Sequence, residues 1–197
     1  MNKSAKFKII VSFAVLLINI ICTAFVYILS IETTTLKVLG SYVAIFIVSA
    51  VVWCFPIRFY IGSLVFVVFA CSFGSCMNLY QHLGFYDLFV HFLSGVLLFE
   101  GGMIIIGKIN NKKKLQSNKA LVGLFALFFS CSCAAFWEIY EFLCDVLINA
   151  EMQGTKLNTM GDIITGVLGA AVSLLFQHCL ETKRMTIKIF NKNEKKT

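Results

Sequence analysis

Six apolar stretches, each about as long as a bilayer crossing requires, follow one another with only short connections between them. They cover roughly residues 9–29, 36–55, 59–80, 88–107, 120–148 and 161–180. Within each stretch apolar residues occupy every side, a pattern that fits neither a half-buried strand nor a water-facing helix. Hydrocarbon offers backbone N–H and C=O groups no partners, and a helix satisfies them all within its own segment. With 59% hydrophobic residues and a single proline in 197 residues, the expectation is an all-α, polytopic membrane bundle. It would have about six transmembrane helices in one integral membrane domain, 1–197, with 181–197 as a basic tail. The fifth stretch is long enough to tilt or to pass beyond the bilayer.

The net charge of +7 would suit nucleic acid, but the basic residues lie in loops and tails, where they set orientation instead. On one side fall Lys3, Lys6 and Lys8, then Arg58, then Lys108, Lys112, Lys113, Lys114 and Lys119, and finally Lys183, Arg184, Lys188, Lys192, Lys195 and Lys196. Only Lys37 and Lys156 fall on the other. Both termini are therefore expected in the cytoplasm, in a multi-pass protein of a bacterial cytoplasmic membrane whose partner is the lipid bilayer rather than nucleic acid. The first stretch exceeds a signal-peptide core and lacks a small-residue exit, so it is expected to stay as a span. All eight cysteines (22, 54, 71, 76, 131, 133, 144 and 179) lie in or beside apolar stretches without a CxxC pair. They are expected to behave as small hydrophobes.

Against this background the ionisable residues inside the spans stand out: Asp87, His91, Glu138, Glu141, Asp145 and Asp162. A charged group in hydrocarbon costs at least a few kcal/mol, so such groups persist where they pair, line a wet cavity or serve a function. Asp87 and His91 are four residues apart and share a helix face, which continues through Ser94, Gly95, Leu98 and Gly101. Glu138, Glu141 and Asp145 follow at i, i+3 and i+7 on the fifth span, and Asp162 opens a small, polar stripe through Thr165, Gly166, Gly169 and Ser173. Small residues let membrane helices approach closely, so three polar faces are expected to meet on the extracytoplasmic side. Several carboxylates in a low-dielectric site cannot all stay ionised and unpaired. Some retain protons, or His91 is charged, or a divalent cation is held by Asp87, His91, Glu138, Glu141 and Asp162, with oxygen and imidazole donors that suit several metals. The plainer account is a structural polar network of protonated carboxyls bonding helix to helix.

Other residues carry lesser expectations. Glu100 lies about 180° around its helix from His91 and would contact another helix or reach Arg58 or Lys108. His82 would be solvated in an outer loop, and His178 and Glu181 would sit at the inner interface. Tyr80 and Tyr86 would form an interfacial belt. Trp137 would wall the site or simply pack.

The stretch Tyr86-Asp87-Leu88-Phe89-Val90-His91-Phe92 with Ser94-Gly95, the block Trp137-Glu138-Ile139-Tyr140-Glu141-Phe142, and the segment from Gln153-Gly154 through Asn158-Thr159-Met160-Gly161-Asp162 to Gly169-Ala170 resemble three ordered blocks of YjdF-like bacterial membrane-spanning proteins. The resemblance covers roughly residues 60–180 and implies a polytopic cytoplasmic-membrane protein. Asn158 stands where that pattern has aspartate, offering an amide oxygen without charge. A weaker similarity to VanZ-like proteins, through Asp87, His91, Glu138 and Asp162, implies a cell-envelope role, with Gly166 in place of that family's asparagine.

Three functional classes follow. In the first, a small membrane enzyme acts on a lipid or lipid-linked envelope substrate. Its catalytic residues would be His91, Asp87, Glu138 and Glu141, with Asp145, Asn158 and Asp162 binding substrate or a cation. In the second, a non-catalytic envelope or resistance factor uses the polar core only to hold its helices together. The third is an ion-coupled transporter, weakened by the absence of an inverted repeat and of paired broken helices.

Overall fold

The computed structural model describes residues 3–113, 118–149 and 152–194, with side chains as far as Leu180. Lys114, Lys195 and Lys196, and the side chains of Glu181, Lys183, Arg184, Lys188 and Lys192, therefore lie outside the described residues. The chain is all helical among those residues: α1 (Lys3–Ile28), α2 (Thr35–Val51), α3 (Ile57–Val67) continuing as a π-helix (Val68–Cys76), the one-turn α4 (Leu79–His82), α5 (Tyr86–Lys113), α6 (Lys119–Ile148) and α7 (Lys156–Glu194). Among the described residues five segments are long and apolar enough to cross a membrane, and α2 is a shorter apolar helix of 17 residues.

Helix ends differ from the hydropathy limits for local reasons. Thr34 caps α2 by accepting from the Lys37 amide at 3.3 Å. The chain then turns at Val52, and the single proline, Pro56, stands at the cap of α3. The third stretch stops at Cys76 instead of residue 80, because Asn78 adopts a left-handed backbone (φ 59°) and its buried amide donates to the Glu32 carbonyl and to Gln81. Helix α7 continues past Leu180 to Glu194.

Large apolar side chains face outward all around the bundle; Phe13, Phe46, Phe128 and Phe176 are each about two-thirds exposed. Such a surface would aggregate in water and is at home in lipid. The interior falls into two parts. One packs Val15, Ile45, Phe59, Tyr60 and Leu64 between α1, α2 and α3. The other joins α5, α6 and α7, and glycines decide its geometry: a Cβ at Gly95 would overlap the Gly166 carbonyl, and one at Gly169 would overlap the Phe92 carbonyl. Helices α5 and α7 thus touch backbone to backbone. Gly102 lies against Ala126 of α6, and the buried Ser130 hydroxyl donates to the Gly95 carbonyl at 3.0 Å.

Two expectations need correcting. Glu100 reaches neither Arg58 nor Lys108; it is exposed and forms no ion pair among the described residues, while the Lys108 ammonium lies 4.5 Å from the Phe55 ring centroid. Tyr86 is no belt residue. It is buried, and its hydroxyl donates to the Phe69 carbonyl of the π-helix at 2.8 Å. Tyr80 packs edge-on against it, with centroids 5.4 Å apart, over Gly74.

Candidate functional site

The backbone approach of α5 to α7 brings the polar starts of both helices together, beside the outgoing end of α6. On α5, one turn separates Asp87 from His91, and their side chains meet with Nε2 3.5 Å from Oδ1. From α6, Glu138 presents Oε1 3.9 Å from the same nitrogen. On α7, Asn158 and Asp162 repeat the one-turn spacing, and the Asn158 amide donates to Asp162 Oδ2 at 2.7 Å and across to Asp87 Oδ2 at 3.2 Å. Donor atoms of Asp87, His91 and Asp162 all lie within 4.8 Å of one another. Three helices that are distant in sequence therefore converge on one polar nest.

Depth is graded. Side-chain exposure falls from 36% at Asp87 to 11% at His91 and 5% at Glu138, so the nest opens at Asp87 and closes at Glu138. Glu138 lies ten residues before the end of α6, about 15 Å into the helix. Neither of its carboxylate oxygens has a hydrogen-bond partner, nor has Oδ1 of the buried Asp162. The Thr159 side chain faces Glu138 without completing a bond. A carboxylate left in this state costs several kcal/mol unless a proton or a cation neutralises it.

Above the nest lies a groove of about 590 Å³. Tyr80, Asp87, Thr155 and Asn158 supply its polar wall, and Leu88, Leu157, Met160 and Ile164 its apolar one. Leu157, Met160 and Ile164 are also exposed on the outside of the bundle, so the groove opens sideways as well as upward. Burial, and after it the negative charge of Asp87, holds the Tyr80 phenol well above its usual range. It remains a neutral donor on the groove wall. Sequence reasoning missed this role, because a tyrosine beside a span reads as an interface anchor.

The other expected site residues sit apart. Glu141 is half-buried and accepts from the Trp137 indole at 2.7 Å, on the rim of the bundle, with Trp137 itself about half exposed. Both Asp145 oxygens are taken by backbone, from the Met152 amide at 2.7 Å and the Gln153 amide at 2.8 Å. Asp145 thus fastens the α6–α7 connection instead of joining the nest. The connection is set further by Asn149, left-handed at φ 50°, and by Thr155, whose hydroxyl accepts from the Asn158 amide at 3.3 Å. Gly154 matters too: a Cβ there would overlap Asn158 Oδ1, so only glycine lets the asparagine side chain settle between the two aspartates. His82 is exposed, and the eight cysteines are free thiols.

Fold and nest together define a polytopic helical membrane protein with a buried acidic and histidine centre near one end of the bundle. The family described as predicted membrane protein (DUF2238) matches residues 8–183, and the chain belongs to that family. This agrees with the YjdF-like resemblance and lends nothing to the VanZ-like one. No curated protein and no solved structure matches the chain.

Proposed function

We propose that this chain is a small membrane enzyme acting on a lipid or lipid-linked envelope substrate, with its site toward the extracytoplasmic leaflet of a bacterial cytoplasmic membrane. The observation that carries this reading is the side-opening groove: it is lined by Asp87, which pairs with His91, and by Asn158, and its flank is made of the exposed Leu157, Met160 and Ile164. A headgroup can lie against Tyr80, Asp87 and Asn158 while its acyl or prenyl chain stays in the bilayer. His91 serves as general base or metal ligand, and the buried Glu138 as the proton-carrying acid, its oxygens being free to exchange a proton. The bias of lysine and arginine supports the orientation.

Two features weigh against the alternatives. Beneath the nest, Gly95, Phe99, Gly102, Ala126, Ala134 and Ala170 are all buried and packed, and the one buried hydroxyl among them, Ser130, is bonded to the Gly95 carbonyl, which does not favour a carrier. The glycine contacts already hold α5 to α7, so a purely structural polar network is superfluous there. Lipid profiles of a deletion strain, complemented with wild type, His91→Ala or Glu138→Gln at equal membrane levels, test the proposal. The expected result is accumulation of one lipid or lipid-linked species that wild type alone reverses. Unchanged profiles, or full complementation by both variants, would refute it.

A further inference from the structure

We infer that Asp87, His91 and Asp162 form a binding site for one divalent cation of the transition series, zinc or manganese, with Glu138 as the carboxylate beside its open position. The inference deepens the function proposed above, but rests on it only for what the cation is used to do. Three observations carry it. The donor atoms Asp87 Oδ, His91 Nε2 and Asp162 Oδ already lie within 4.8 Å of one another, and adjustments of about an ångström bring them to the roughly 2.0–2.2 Å bonds such ions require. Glu138 is 4% exposed, directs Oε1 at His91 from 3.9 Å, and has both oxygens without hydrogen bonds. Asp162 is 3% exposed and leaves Oδ1 without one. Protein groups thus leave three inward oxygens unmet.

Charge points the same way. Three carboxylates face one imidazole, and among the described residues both ion pairs of the cluster are made by that imidazole. Fully ionised, with His91 neutral, the nest carries −3; a divalent cation reduces this to −1. Imidazole suits zinc, iron and nickel more than magnesium or calcium, while the carboxylates admit manganese. Three protein ligands with one position left open is the arrangement of metal centres that activate water, and Glu138 stands beside that position.

Asn158 makes the inference specific to this chain. Its amide nitrogen bridges Asp87 Oδ2 and Asp162 Oδ2, supplying hydrogen bonds where an aspartate would supply a further negative ligand. The amide holds only the Oδ2 atoms and leaves Asp87 Oδ1 and Asp162 Oδ1 to the cation, and an aspartate at 158 adds negative charge beside them. Asn158→Asp should therefore raise affinity.

The full chain, purified in lipid nanodiscs, is analysed for metals, stripped with chelator and titrated with zinc, manganese or magnesium chloride while its melting temperature is followed. About one equivalent of zinc or manganese per chain is expected, with a rise in melting temperature on re-addition that magnesium does not reproduce at equal concentration. His91→Gln and Asp162→Asn should weaken binding at least tenfold, and Asn158→Asp, which keeps every ligand, should tighten it at least tenfold. Absence of bound metal together with no thermal response to any of the three ions overturns the site. So does a response that survives undiminished in Asp162→Asn, or that Asn158→Asp leaves unchanged. An equal response to magnesium overturns the assignment to the transition series. Metal content is read without reference to lipid turnover, so a failed lipid phenotype with bound metal sinks the enzyme reading and leaves the cation site standing.

Discussion

Lys8 and Glu138 are both ionisable side chains buried within membrane helices, and the two halves of the molecule treat them differently. The ammonium of Lys8 donates to the Trp53 and Phe55 carbonyls, where α2 has ended, and lies 5.0 Å from the Tyr60 ring centroid and 5.7 Å from that of Trp53. Carbonyls at the end of a helix carry partial negative charge, so a cation there is favoured twice over. Around it the first half is tied by neutral bonds: Ser12 with Tyr60, Asn19 with Ser41, and Thr23 with Tyr42. What it leaves open among the described residues, Asn19 Oδ1, Ser49 Oγ, Ser72 Oγ and Asn78 Oδ1, is uncharged. The second half packs by glycine and leaves a carboxylate unmet. A protein that satisfies its buried lysine has the means to satisfy a glutamate. That Glu138 is left open sets the second half apart, and the proposed function rests on that difference.

The largest expected effect tests how that half is held. Gly95→Leu drives a side chain into the Gly166 backbone and should cost about 3 kcal/mol, enough to lose most folded protein. Gly40, on α2, has open space around it, with nothing within 4 Å of where a Cβ would stand, and Gly40→Ala should stabilise by a fraction of about 1 kcal/mol. Thermal unfolding of both variants in the same detergent checks the contrast. Equal tolerance would mean that the glycine seam does not set the α5–α7 distance.

Next comes the lysine itself. Lys8→Met keeps the aliphatic length but leaves two carbonyls without their donor, at about 2 kcal/mol. Lipid turnover per folded molecule should be unaffected, because the change lies at the far end of the other half. A Lys8→Met protein that is fully stable would show the ammonium to be incidental.

Much of this organisation is legible in the amino-acid sequence. Apolar length alone identifies the helices, since hydrocarbon permits little else, and the Asp87–His91 pair follows from a spacing of four. The π-helix is not legible there: nothing in Val68–Cys76 signals it, and it persists through tertiary partners, the Tyr86 hydroxyl on the Phe69 carbonyl and the Tyr80 ring over Gly74. The acidic run on α6 misleads in an instructive way. Asp145 shares the azimuth of Glu138, but seven residues lift it about 10 Å toward the helix end, where loop amides claim it. Glu141 is rotated about 60° away and meets Trp137. Helical periodicity fixes the direction of a side chain, whereas depth decides which neighbour it meets.

Asp145 also allows the comparison to be sharpened without touching the nest. It holds the connection that places Asn158 and Asp162, so Asp145→Ala should lower stability by about 1.5 kcal/mol through two lost charge-assisted bonds. It should also reduce lipid turnover several-fold. Asp145→Asn, which retains one acceptor, should recover part of both. Loss of activity with Asp145→Ala at unchanged stability would instead place this carboxylate in the reaction.

The smallest effect is expected at Glu100. It shares α5 with Asp87 and His91 but faces the opposite way, exposed beside Val96 and eight residues, about 12 Å, short of Lys108. Among the described residues it makes no ion pair for Glu100→Gln to remove. Stability should change by less than about 0.5 kcal/mol, and lipid turnover not at all. The same exchange at Glu138 should abolish turnover while leaving the protein folded. Paired assays of the two variants set one acidic residue against another on helices of similar length, and only burial and neighbours differ. If Glu100→Gln proves as damaging as Glu138→Gln, the carboxyl on the lipid-facing side has a partner of its own, and chemistry is no longer confined to the converging faces of α5, α6 and α7.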